Sequence, residues 1–231
     1  MATENEMKIV TLSTCIFWLL IIVMPRIAGS QTNEVPPIRA FDLKIIENLG
    51  QSIHQRDIYA ARATDILFKA VGKPEKLEEE KIGGWIVREH RGNILVRFLK
   101  QVDDGFLPAY DITFISPDKG ILTKATGRLS PDELAQFKAR QLALKNIPEF
   151  CSPRYNTVVL QDVDGKGFLV YALAATTDPD LVFVGGHYRM TVSPDGTKVE
   201  QVDRLFKSCL VLRKSDVPKD SNVAGLSPHM S

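Results

Sequence analysis

Thr113-Phe114-Ile115-Ser116-Pro117-Asp118 and Met190-Thr191-Val192-Ser193-Pro194-Asp195 lie 77 residues apart and read alike. In each, a strand of aromatic and β-branched residues runs into a Ser-Pro-Asp turn. Gly127-Arg128-Leu129 and Asp203-Arg204-Leu205 follow at nearly equal distances. Pro-Asp-Gly turns occur in any antiparallel hairpin, so the match gains its meaning from the element order around it.

Before the first turn the chain predicts a helix over 41–71. Ile45, Ile46, Leu49 and Ile53 share one face, and Ile58, Ala61, Ala63, Ile66, Leu67 and Ala70 continue the period. Gly50 and the polar cluster His54-Gln55-Arg56-Asp57 suggest a kink or a break into two helices. Gly72 and Pro74 form a stop signal, and residues 73–81 read as a solvated linker or a short extra turn. From Gly83 the period becomes two. Trp85–Val87 and Ile94–Leu99 form a hairpin across Arg91-Gly92-Asn93, followed by strands at Tyr110–Phe114 and Ile121–Ala125. Trp85 and Tyr171 alternate with apolar neighbours and are expected in the core.

The plan then recurs. Ser130-Pro131-Asp132-Glu133 is an N-cap, a proline at the first helical position and an acidic third residue, opening a helix to about Asn146. Strands are expected near 157–160, 168–174, 181–192 and 198–205. The reading is an α+β fold of two tandem repeats, 31–129 and 130–214, with helices packed on one face of each antiparallel sheet. A polar tail, 215–231, is expected to be disordered. The layout is similar to that of tandem helix-plus-four-strand modules, such as exported inhibitors of β-lactamases. The similarity lies in element order; no residue motif is shared, and fold by itself implies no function.

Residues 1–30 read as a signal peptide. Lys8 supplies a positive end, Ile9–Met24 an apolar run too short for a comfortable membrane span, and Ala28-Gly29-Ser30 a small-residue cleavage site. Glu4 and Glu6 do not suit a positive n-region, which suggests a start at Met7. Leu12-Ser13-Thr14-Cys15 resembles a lipoprotein box, but most of the apolar run follows Cys15 instead of preceding it. An uncleaved anchor is the stronger alternative, because Arg26 directly follows the run. The chain is therefore expected to be exported, to the periplasm or the medium, with membrane contact only if residues 1–30 are retained.

Residues 1–30 carry Lys8 and Arg26 against Glu4 and Glu6, so their removal leaves the net charge at +1. A near-neutral chain has no long-range field to steer nucleic acid, which is not expected as a partner. At 44% hydrophobic and 25% charged residues, the composition is that of a globular protein. Of the three cysteines, Cys151 and Cys209 follow the signal segment. In an oxidising compartment they read as a disulfide, with two buried thiols as the alternative.

Chemistry leaves few marks. There is no Gly-x-Ser-x-Gly elbow, phosphate-cradling glycine loop or His-Glu-x-x-His motif, and the four histidines are scattered. Asp162-Val163-Asp164-Gly165-Lys166-Gly167 imitates the start of a calcium loop. Lys166 then holds the fifth position and Leu173 the twelfth, where oxygen ligands belong. It reads as a hairpin turn, and neither metal nor cofactor is expected. Alternation after Gly185-Gly186 puts His187 and Arg189 on a polar face, opposite Tyr188, Met190 and Val192. The paired glycines suggest a bulge or a close backbone approach. Asp111 holds a comparable polar position in the first repeat.

His187, Arg189 and Asp111 are thus the candidate binding residues. A satisfied surface histidine competes with that reading, and catalysis by His187 with Asp111 or with Cys151 ranks last. The expected function is an exported, non-enzymatic binding protein for an unknown protein or small-molecule ligand, with the sheet surfaces or the groove between the repeats as the contact site. The alternatives are a periplasmic hydrolase and an envelope-associated structural protein held by an uncleaved N-terminus.

Overall fold

The computed structural model describes residues 37–103 and 105–216, apart from the side chain of Pro74. The chain divides into units 1–36 and 37–231, and all described residues fall in the second. The expected signal segment and cleavage site, and the expected tail apart from Ser215 and Asp216 in a short turn with Lys214, lie outside the described residues.

The fold is mixed α+β. Helix α1 (Leu43–Val71) and a short α2 (Pro74–Glu79) precede strands β1 (Ile82–His90), β2 (Asn93–Val102), β3 (Gly105–Ser116) and β4 (Lys119–Lys124). These strands form an antiparallel sheet in the order β1-β2-β3-β4. Helix α3 (Pro131–Lys145) leads to β5 (Arg154–Gln161), β6 (Phe168–Ala175), β7 (Leu181–Phe183), β8 (Tyr188–Val192), β9 (Val199–Arg204) and β10 (Val211–Arg213). The second sheet has the order β5-β6-β8-β9, and β7 pairs with β10 in a separate ribbon.

Both long helices begin where their sequences say. Asp42 accepts the Ile45 N–H at 2.8 Å, and Gly72 ends α1 at φ 80°, where a side chain would be strained. In α3 the Ser130 hydroxyl receives the Glu133 N–H while the Glu133 carboxylate receives the Ser130 N–H.

Helix α1 is continuous through Gly50 and 54–57, so the break into two helices does not occur there. The apolar stripes on either side of the polar cluster serve different sheets. Leu49, with Ile45 and Ile53, packs on Val158, Leu160, Leu169 and Tyr171 of the second sheet. Ala60, Ala63 and Leu67 pack on Val87, Val96, Phe98 and Ile112 of the first. His54–Asp57 is polar because the helix there passes from one sheet to the other.

A helix on one face of each sheet is likewise too simple. Alternate residues of the second sheet, Val170, Met190 and Val192, are buried under Ala135, Ala139 and Ala143 of α3. The first sheet's Ile86 and Leu99 meet Phe137, also from α3. Each sheet is thus covered on one face by α1 and on the other by α3. Burying each large apolar side chain of these layers stabilises the fold by about 1.5–3 kcal/mol.

The single strand expected over 181–192 is two. A Cβ on Gly185 would lie 2.0 Å from the Ser208 carbonyl oxygen, and Gly186 sits at φ 80°. The glycine pair turns the chain out of β7 and into β8. Tyr171 is in the core of the second sheet as expected, whereas Trp85 is half-buried against the core of the first.

Candidate functional site

The three residues singled out by the sequence each have local partners. Burial, only partly offset by the Phe183 carbonyl, holds His187 below its ordinary pKa. Its Nδ1 accepts the Ala174 N–H at 3.0 Å, and its Nε2 stands 3.2 Å from the Phe183 oxygen. A neutral ring with the proton on Nε2 satisfies both contacts. The imidazole therefore continues the pairing of β6 where the glycines have turned the backbone away.

Arg189 is buried and binds Asp203 through Nε at 2.9 Å and Nη2 at 2.6 Å. It also donates to the Arg39 carbonyl and stacks 4.6 Å from the centre of the Phe41 ring. Asp111 belongs to the other sheet, where Arg97 holds it bidentately at 2.8 and 2.7 Å. No hydrogen bond joins Asp111 to His187 or Arg189 among the described residues.

Cys151 and Cys209 stand at disulfide distance, their Cα atoms 5.4 Å apart. A Cβ on Gly186 would lie 2.4 Å from that of Cys151. Tyr155 ties the corner together, receiving the Cys151 N–H at 3.0 Å and donating to the Gly186 carbonyl at 3.1 Å. Gly185 and Gly186 thus make room for the two segments that carry the cysteines. A bonded sulfur offers no thiolate to His187.

The calcium-like turn carries a guanidinium. Arg39 donates to Asp162 at 2.6 and 2.9 Å and to Asp164 at 2.8 Å. Burial alone would raise the Asp162 pKa; Arg39 and the backbone N–H groups of Asp164 and Val163 outweigh it and hold the carboxylate low. Among the described residues no three His, Cys, Asp or Glu side chains gather in a metal-binding group.

A concave site lies elsewhere, between the two sheets. The outer strands β1 and β5 border a groove of about 550 Å³, whose lining also includes Arg56 and the first turns of α3. Arg56 Nη1 donates to the Val87 carbonyl of β1 at 2.6 Å and to the Val159 carbonyl of β5 at 3.1 Å. Gln136 of α3 adds a bond to Val87 at 3.2 Å. Edge strands carry unpaired backbone groups that invite other chains, and here two helices cover the middle of both.

On an edge strand, every second residue turns its backbone outward. Two positions beyond Val87 and Val159 stand Glu89 and Gln161, both in the groove lining. The walls are of mixed charge. Glu133 accepts from Arg88 at 2.9 Å and Arg97 at 2.8 Å. Burial would raise its pKa, but the Ser130 N–H and these two arginines hold it below the usual carboxylate range. Burial lowers the Arg56 pKa, with Glu89 opposing.

A groove between the repeats was one of the expected contact sites, but the residues that line it were not foreseen. Its one sequence signal was the polar cluster at 54–57, whose meaning depends on two strands distant in the chain. No family model matches this chain, and neither does any curated protein or solved structure.

Proposed function

We propose that this chain is an exported, non-enzymatic binding protein, and that the groove between its sheets receives an extended polypeptide segment. The observation that carries the reading is that β1 and β5 border one groove, with the outward backbone positions of Glu89 and Gln161 beside it. Strand addition at such an edge derives affinity from main-chain hydrogen bonds and specificity from flanking side chains. Mixed charge in the walls, Arg88 against Glu89 and Asp132, suits a polar peptide with both signs.

Export is supported by the signal-like residues 1–30 and by the cysteine pair, which fits an oxidising compartment. No helix among the described residues is long and apolar enough to cross a membrane. The enzyme reading needs a free imidazole or thiolate. Both nitrogens of His187 and the Cys151 sulfur are engaged.

The tandem-repeat reading belongs to the same proposal. Each Ser-Pro-Asp turn joins the third and fourth strands of its sheet, with a register shift just before it. Tyr110 pairs with Lys124 in the first sheet, as Tyr188 pairs with Arg204 in the second. The Tyr110 hydroxyl donates to Glu80 at the end of α2, and that of Tyr188 to the Glu149 carbonyl beyond α3.

A random-peptide selection against the exported chain tests the function. Selected peptides are expected to lose binding to Glu89→Pro and Gln161→Pro variants, which remove one outward N–H each. Peptides indifferent to both variants, or no selected peptides, would contradict the reading.

A further inference from the structure

Beneath the groove, between Trp85–Val87 of β1 and Thr157–Val159 of β5, lies a cavity of about 10 Å³. That is room for one water-sized particle. Its lining contains two arginines, Arg56 and Arg140, and no carboxylate. Arg140 is 7% exposed, and its Nε has no hydrogen-bond partner. The Thr157 hydroxyl, on the facing strand, is also buried and unpartnered.

A buried guanidinium costs several kcal/mol to desolvate unless a negative charge or hydrogen-bond acceptors offset it. The Trp85 ring, 4.6 Å from the guanidinium carbon, offers partial compensation. The groove carboxylates, Asp132 among them, line the outer groove and not the cavity. Glu133 is held by Arg88 and Arg97, and Glu89 lines the outer groove. Burial with no opposing charge pushes the Arg140 pKa down to about 10, so the group is still cationic at neutral pH.

We propose that this cavity is a binding site for a small monovalent anion of chloride size, held by Arg140 Nε, the Thr157 hydroxyl and the charge of Arg56. The donor set is specific in kind. A guanidinium N–H and a hydroxyl can both point at an anion, and no carboxylate stands in the lining. A halide placed there would lie between the edges of both sheets, offset the buried charge of Arg140 beside the half-buried Arg56 and join α3 to β5. The site stands whether or not the groove above it binds a peptide.

The test uses the whole exported chain and halide salts. Thermal unfolding is followed in sodium chloride, bromide and gluconate at one ionic strength. Chloride and bromide are expected to raise Tm relative to gluconate, by about 3–5 °C for each tenfold rise above the dissociation constant. Thr157→Val, which keeps the shape of the strand residue, should fold and lose most of that dependence. Arg140→Met should abolish it while raising the Tm measured in gluconate, since the uncompensated charge is gone.

Crystals grown in bromide should show an anomalous peak between Arg140 Nε and the Thr157 hydroxyl. Equal Tm values in chloride and gluconate, with no bromide peak, would overturn the proposal and leave a buried water in the cavity. A halide effect that survives both substitutions would overturn it as well.

Discussion

The two sheets solve the same problem differently. Each holds an arginine and an aspartate paired directly across neighbouring strands, Arg97 with Asp111 and Arg189 with Asp203. In the first sheet both side chains are about one-sixth exposed, and the arginine reaches on to Glu133 of α3. In the second they are 7% and 1% exposed, and the arginine is closed over by Phe41 and the Arg39 carbonyl. The first pair anchors a helix start beside the groove. The second fastens the segment entering α1 onto the face of its sheet that α1 covers. The difference teaches that equal charge pairing has unequal weight, because an ion pair's importance follows its burial.

Asp203→Ala sharpens that contrast most. It leaves Arg189 buried with one carbonyl partner, and the expected loss is about 3–5 kcal/mol in urea unfolding. Replacing both Cys151 and Cys209 by alanine comes next, at about 2–4 kcal/mol, because it reopens a long loop in the unfolded chain. In the first sheet, Asp111→Ala should cost only about 1–2 kcal/mol, since water and Glu133 still serve Arg97. Equal losses for Asp111 and Asp203 would break the comparison. Ser130→Ala, which removes half of the capping box beside the groove, should cost about 1 kcal/mol.

The smallest effect is a pH dependence confined to the second sheet. His187 has a folded pKa below its ordinary 6.5, because burial disfavours the imidazolium. The unfolded chain therefore binds more protons, and this group's stabilisation is complete above pH 6.5 and declines as the pH falls through the folded value. A series of Tm measurements from pH 7.5 to 5 should show the decline in the parent chain. It should be absent in His187→Gln, whose amide can replace one of the ring's contacts. An unchanged slope in the variant would assign the titration to another group.

Much of the fold was legible because it is written locally. The Ser130-Pro131-Asp132-Glu133 start, the Gly72 stop and the alternating strands each rest on neighbours in sequence. Gly185-Gly186 was legible as a close approach, but not the approaching groups, which are Cys151 and the backbone of Ser208 and Leu210. Arg56 was the largest omission. Seen alone, a polar cluster inside a helix reads as a break. Only the assembled molecule shows that α1 crosses there between two sheets and spans both edges with one guanidinium. Asp162 was read as a turn residue on account of Lys166, and the cation that reaches it in the structure is Arg39, 123 residues away.

The reading of the whole molecule depends on export with the two cysteines bonded, and intact mass spectrometry of the chain recovered from an exporting host tests this directly. Measured with and without thiol alkylation under non-reducing conditions, the mass should correspond to residues 31–231, with no alkyl group added. A mass that includes residues 1–30, together with two alkylated cysteines, would contradict the account and return Cys151 to consideration as a nucleophile beside His187.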